Sequence, residues 1–122
     1  MSDDCLFCAI GAGEAEADVL QREDGVVAFR DIHPRAPVHV LVVPERHIGS
    51  AHELTDADAG LLASCFRVAR RVAEDEGIAD GYRVATNIGS KGGQAIGHLH
   101  LHVLGGRQLR HIDSGDAPTK PA

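Results

Sequence analysis

The sequence predicts an α+β domain: an antiparallel sheet of about five strands with one long and one short helix, in a single unit. Three observations predict it. Strand-like segments lie as hairpins on either side of one long amphipathic stretch, instead of alternating with helices as in repeated βαβ units. The 122 residues amount to one domain by length. Apolar residues make up 43% and charged residues 25%, a balance that buries a core and is far from a disordered composition.

Taken in order, Leu6 to Ile10 reads as a short helix. Val19 to Gln21 and Val26 to Phe29 flank Glu23-Asp24-Gly25, a turn sequence that closes a hairpin. Val38 to Val43 is almost wholly β-branched or Leu apart from His39, and Pro44 ends it. The long helix lies between Thr55 and Gly77. Thr55 is its N-cap, Asp56 and Asp58 occupy the first turn, and Gly77 is the stop. Leu61, Leu62, Cys65, Val68, Ala69, Val72 and Ala73 recur at helical spacing, leaving Arg67, Arg70 and Arg71 on a solvated face with Glu74 placed to pair with Arg70. Tyr82 to Ile88 and His98 to Leu104 are two further strands, divided by Gly89-Ser90-Lys91-Gly92-Gly93. Residues 1–112 form the domain, and the polar, Pro- and Gly-containing residues 113–122 are expected to be a flexible tail.

The formal net charge is −6, with 12 Lys plus Arg against 18 Asp plus Glu. A protein that binds nucleic acid or a membrane surface through counterion release carries the opposite balance, so neither is an expected partner. No apolar run approaches the ~20 residues of a membrane span, and the acidic Met1-Ser2-Asp3-Asp4 lacks the pattern of a secretory signal. The expected location is the cytoplasm. There the three cysteines, Cys5, Cys8 and Cys65, stay reduced, which directs them to metal binding or packing.

Eight histidines are the unusual feature of the composition. His98-Leu99-His100-Leu101-His102 alternates strictly, so a strand would put the three imidazoles on one face and the leucines on the core. Same-face neighbours are about 7 Å apart and the outer pair roughly 13 Å, whereas nitrogens on one zinc ion each sit ~2 Å from it. Two of the three can share a metal; all three cannot readily do so. A row of imidazoles suits instead the holding of an anion while one of them attacks it, because a neutral imidazole is nucleophilic near pH 7. The Gly-rich segment from Asn87 to Gln94 supplies backbone N–H groups, including that of Gly93, able to approach a phosphate.

These residues resemble the histidine triad superfamily, in particular its Hint branch of purine nucleoside phosphoramidases. The resemblance runs from about Cys5 to Gln108. It rests on His98-x-His100-x-His102, on Asn87-x-Gly89-x-x-Gly92-Gly93-Gln94 before it and on Gly105-Gly106-Arg107 after it. Phe29-x-Asp31-Ile32, Ala36-Pro37-x-His39-x-Leu41-Val42-x-Pro44, His47-Ile48 and Gly81-Tyr82-Arg83 extend it.

The resemblance implies a hydrolase that cleaves the P–N bond of a purine nucleoside phosphoramidate through a nucleotidyl-histidine, working as a homodimer on an AMP- or GMP-type nucleotide. His100 is the implied nucleophile, His102 contacts the phosphate, His98 orients His100 through its backbone carbonyl, and His39 stands near the scissile bond. Asp31 matches the ribose-binding acid; Phe7, Ile10, Ile32 and Leu41 match the nucleoside pocket; Asn87, Gly93 and Gln94 match the phosphate loop. Ala95 occupies the position where relatives commonly carry Ser or Thr. Zinc is the one implied cofactor, structural and held by Cys5, Cys8, His47 and His98, with none required for the chemistry; the other reading of Cys5 and Cys8 is two reduced thiols near a terminus. Dinucleoside polyphosphate hydrolysis, a metal-dependent hydrolase built on a His-x-His pair, and a non-catalytic nucleotide-binding module are the alternatives.

Overall fold

A computed structural model describes residues 5–112. The expected tail, residues 113–122, lies outside the described residues. The elements are α1 (Leu6–Gly11), β1 (Val19–Glu23), β2 (Val26–Arg30), β3 (Val38–Pro44), α2 (Ala59–Asp75), β4 (Tyr82–Ala85) and β5 (Leu101–Gly105), with 3₁₀ turns at Ala51–Glu53, Asp56–Asp58 and Ser90–Gly92. The five strands form one sheet in the order β1-β2-β3-β5-β4, every neighbouring pair antiparallel. The α+β expectation holds.

Helices cover both faces of the sheet's centre. On one face Cys65, Val68, Ala69, Val72 and Ala73 of α2 pack on Val26, Ala28, Val40, Val42, Leu101 and Val103. On the other, Phe7 and Ile10 of α1 pack on Val27, Phe29, Leu41 and Val43. Alternate residues of β2 and β3 therefore enter different cores, and all of β3 is buried, which is why its sequence is continuously apolar rather than alternating. Each fully buried Val contributes about 1.5–3 kcal/mol.

Local chemistry sets the ends of α2. The Thr55–Asp58 capping box closes the preceding 3₁₀ turn, so the regular helix begins at Ala59 and not at Thr55. At the far end Gly77 takes φ +76°, its N–H donates to Glu74 and that of Ile78 donates to Ala73, the two bonds of a Schellman stop. The arginine face is exposed at Arg70 and Arg71 and half-buried at Arg67; Arg67 pairs with Asp24 at 3.0 Å and Arg71 with Glu23, tying α2 to the β1–β2 hairpin.

Two strands are shorter than the hydropathy pattern predicts. β4 stops at Ala85 rather than Ile88, and β5 starts at Leu101 rather than His98. The cause lies just before β5. The Leu99 N–H donates to the Ile48 carbonyl at 2.6 Å, and the Thr86 hydroxyl takes the His100 carbonyl at 2.7 Å, so the groups that would extend the ladder are already used. The chain bends at residues 96–98, so His98 lies in the bend and His100 in the irregular stretch between it and β5.

Candidate functional site

Between α1 and the ends of β2, β3 and β5 lies a cleft of about 540 Å³. Phe7, Ile10, Phe29 and Leu41 form its apolar floor, Asp31 and Ile32 its rim, and His39, His100 and His102 its polar end. Asn87, Gly93 and Ala95 close it from the Gly-rich segment. All the expected binding residues except Gln94 line it. The Gln94 amide instead braces the loop, donating to the carbonyls of Gly49 (2.7 Å) and Ile96 (2.8 Å) and accepting from the Gly89 N–H (2.9 Å). Asn87 also donates to the Gly92 carbonyl, at 2.8 Å, holding the segment that includes Gly93.

Hydrogen-bond partners assign the tautomer of each histidine. His100 Nδ1 lies 2.7 Å from the His98 carbonyl, which can only accept, so Nδ1 carries the proton and the Nε2 lone pair is free. His39 Nδ1 accepts from the Arg35 backbone N–H at 3.0 Å, so His39 Nε2 carries its proton and donates to His102 Nδ1, 3.0 Å away. His102 then presents Nε2–H as a donor. Asp31 lies 3.4 Å from His39 Nε2 and accepts the His33 N–H at 2.8 Å. The His100 and His102 rings are 5.0 Å apart, and Phe7 packs edge-on against His100 at 5.2 Å.

Burial favours the neutral form of His39 and His102. It lowers the pKa of His39 despite the nearby Asp31, and it lowers that of His102 to about 4, with repulsion from His100 and His39 adding to the effect. Although Asp31, His39 and His102 cluster closely enough to suit a cation, the Nε2 of His39 is protonated in this hydrogen-bond pattern and has no lone pair to give a metal.

His98 is fully buried and faces a different set of residues. Its Nε2–H donates to the Pro44 carbonyl at 2.8 Å, leaving Nδ1 unprotonated at 3.2 Å from Cys5 Sγ and 3.5 Å from Cys8 Sγ. His47 Nδ1 is 3.2 Å from Cys8 Sγ, and the four ligand atoms all lie within 4.8 Å of one another. Sulfur and nitrogen on one tetrahedral zinc are separated by about 3.5 Å, so this donor set fits that ion. The Pro44 carbonyl is the outer partner that fixes such a ligand's tautomer. Cys65 is separate: buried in the α2 core, its thiol is pushed up to about 11 by desolvation.

Sequence reasoning missed Phe29, Arg35 and Ile96 as cleft residues. Phe29 was accessible from its strand, two residues before Asp31 and on the same face. Arg35 was not, because its role at His39 is made by a backbone N–H in a loop.

A family model described as the HIT domain matches residues 12–109. An uncharacterised HIT-like protein of Synechococcus elongatus is 42% identical over 109 residues, which are 89% of this chain and 96% of that protein. The crystal structure of a HIT family hydrolase from Legionella pneumophila is 45% identical with a TM-score of 0.84, covering 87% of this chain and 96% of its own. A HIT family hydrolase from Clostridium thermocellum is 41% identical with a TM-score of 0.86, covering 89% and 96%.

Proposed function

The chain belongs to the HIT domain family, and from that premise we propose that it hydrolyses the P–N bond of purine nucleoside phosphoramidates of the adenosine or guanosine 5′-monophosphoramidate type. One observation carries the reading: the His98 carbonyl holds the His100 Nδ1 proton, which leaves the Nε2 lone pair free at the polar end of a cleft with an apolar floor. A purine ring suits the floor, and Asp31 at the rim is placed to accept from ribose hydroxyls.

In the first step His100 Nε2 forms a bond to the α-phosphorus as the P–N bond breaks. The bonding pair leaves on the amine nitrogen, which takes one proton from solvent. His102 Nε2–H donates to a phosphoryl oxygen, and the backbone N–H groups of the Gly-rich segment add neutral donors. Because Nδ1 keeps its proton, the phosphorylated imidazole is cationic, which makes it a good leaving group in the second step. Water then attacks phosphorus, the N–P pair returns to His100, and the nucleoside monophosphate departs with one water proton released. Mass-spectrometric detection of a nucleotidyl adduct on His100 after quenched turnover tests this; turnover by His100→Ala at the wild-type rate would sink it.

Cys5, Cys8, His47 and His98 would hold a structural zinc, whose chemistry is to cross-link α1 to the segment before β5. Reduced thiols there agree with a cytoplasmic location. The unit is proposed to be a homodimer: β4 is an edge strand, and Leu62 and Phe66 of α2 are 38% and 49% exposed.

A further inference from the structure

The sheet register aligns His102, Leu41, Phe29 and Val19 across four neighbouring strands. At about 4.8 Å per strand, this row runs roughly 14 Å from the polar end of the cleft to the start of β1. Leu41 and Phe29 are the floor along it, and Glu16 and Ala17, just before β1, form the lip at the far end. Among the described residues two acidic side chains line the cleft, Asp31 and Glu16. Asp31 faces the ribose in the proposed mode, whereas Glu16 stands where a base laid along the floor would end.

Backbone bonds fix this lip on both sides of Glu16. The N–H groups of Glu14 and Ala15 donate to the Ala9 carbonyl at 2.8 and 3.3 Å, and the Arg30 N–H donates to the Asp18 carbonyl at 3.1 Å. Ala15 and Ala17 pack on the cluster that holds Phe7 and Phe29. Glu16 itself is exposed. Of the other acids in the segment, Glu14 does not line the cleft, and Asp18 is paired with Arg30 Nε at 3.2 Å. The Arg30 guanidinium does line it, but Glu76 takes its two terminal nitrogens at 2.8 and 3.0 Å. The polar group that the lip offers a base is therefore the Glu16 carboxylate.

An ionised carboxylate only accepts hydrogen bonds. Guanine carries two adjacent donors on its outer edge, N1–H and the 2-amino group, which match the two carboxylate oxygens. Adenine presents the N1 lone pair there, and its one donor, the 6-amino group, lies to the side.

We propose that Glu16 selects guanine over adenine nucleotides, its carboxylate accepting from N1–H and the 2-amino group while the ring lies on Phe29 and Leu41. The inference rests on the phosphoramidase reading, which puts a nucleoside in the cleft, and narrows purine to guanine. The phosphate stays at His100 and His102, the ribose at Asp31, and the base extends from them along the row. A site that hydrogen-bonds a substrate's donors rejects an analogue lacking them; because Glu16 is exposed, the expected discrimination is only about tenfold.

The test measures Kd for GMP, IMP and AMP by calorimetry, and kcat/KM for guanosine and adenosine 5′-phosphoramidates. Wild type should bind GMP about tenfold more tightly than AMP, with IMP, which keeps N1–H but lacks the 2-amino group, between them. In Glu16→Ala the GMP to AMP ratio should fall to within about twofold of unity. Glu14→Ala removes the same charge from the same segment outside the cleft and should keep the wild-type ratio. Equal GMP and AMP affinities in wild type, a preference that survives Glu16→Ala, or one lost equally in Glu14→Ala would each overturn the assignment. Guanine selectivity that depends on Glu16 in a protein that cleaves neither phosphoramidate supports the assignment and removes only the phosphoramidase reading. Failure to bind any of the three nucleotides overturns both.

Discussion

His98 and His100 are joined by one hydrogen bond, from Nδ1–H of His100 to the backbone carbonyl of His98 at 2.7 Å. Through it the residue that faces the two thiols also fixes the tautomer of its neighbour two positions on. Truncation of His100 removes the lone pair but neither the apolar floor nor Asp31. His100→Ala should therefore lose at least about a thousandfold in turnover while keeping nucleotide affinity within a few-fold, as read by single-turnover kinetics and calorimetric AMP binding.

Acid should destabilise the protein through its buried imidazoles. An unfolded histidine titrates at about 6.5, whereas His102 in the fold titrates at about 4 and His39 also below the ordinary value. Between those pH values the unfolded chain binds protons that the native chain does not, so stability is fully present above 6.5 and falls as pH drops towards 4. The Tm of His102→Gln, relative to wild type, should decline less over this window; parallel curves would refute the assignment.

Gln94 braces the Gly-rich loop through three hydrogen bonds. Its loss strands the Gly49 and Ile96 carbonyls and the Gly89 N–H. Gln94→Ala should cost about 1–3 kcal/mol in urea unfolding and speed amide exchange between Gly89 and Gly93.

Ala95 lines the cleft without a polar group. A hydroxyl there adds one neutral hydrogen bond to phosphate or leaving group, worth about 0.5–1.5 kcal/mol. Ala95→Ser should raise kcat/KM by roughly two- to tenfold on adenosine phosphoramidate; an unchanged value would place the phosphate elsewhere.

Zinc loss should be read in stability first. The protein should carry about one zinc per chain by elemental analysis, Cys5→Ser should reduce that content, and a chelator should lower Tm. Turnover should survive for as long as the chain stays folded, because the proposed steps use imidazoles and backbone donors only.

What the sequence determined by itself was the set of elements and the residue types at the site. Period-two and helical spacing depend on local geometry, so the sheet, α2 and its Gly77 stop were legible, and the His-x-His-x-His alternation marked two of the imidazoles that line the cleft. Only the tertiary structure decided how the histidines divide. His98 leaves the strand because Leu99 is claimed by Ile48, a contact between residues far apart in sequence, and its ring then meets Cys5, Cys8 and His47. The tautomers depend on carbonyls and N–H groups of distant or irregular backbone, at Pro44, His98 and Arg35, which no residue pattern encodes.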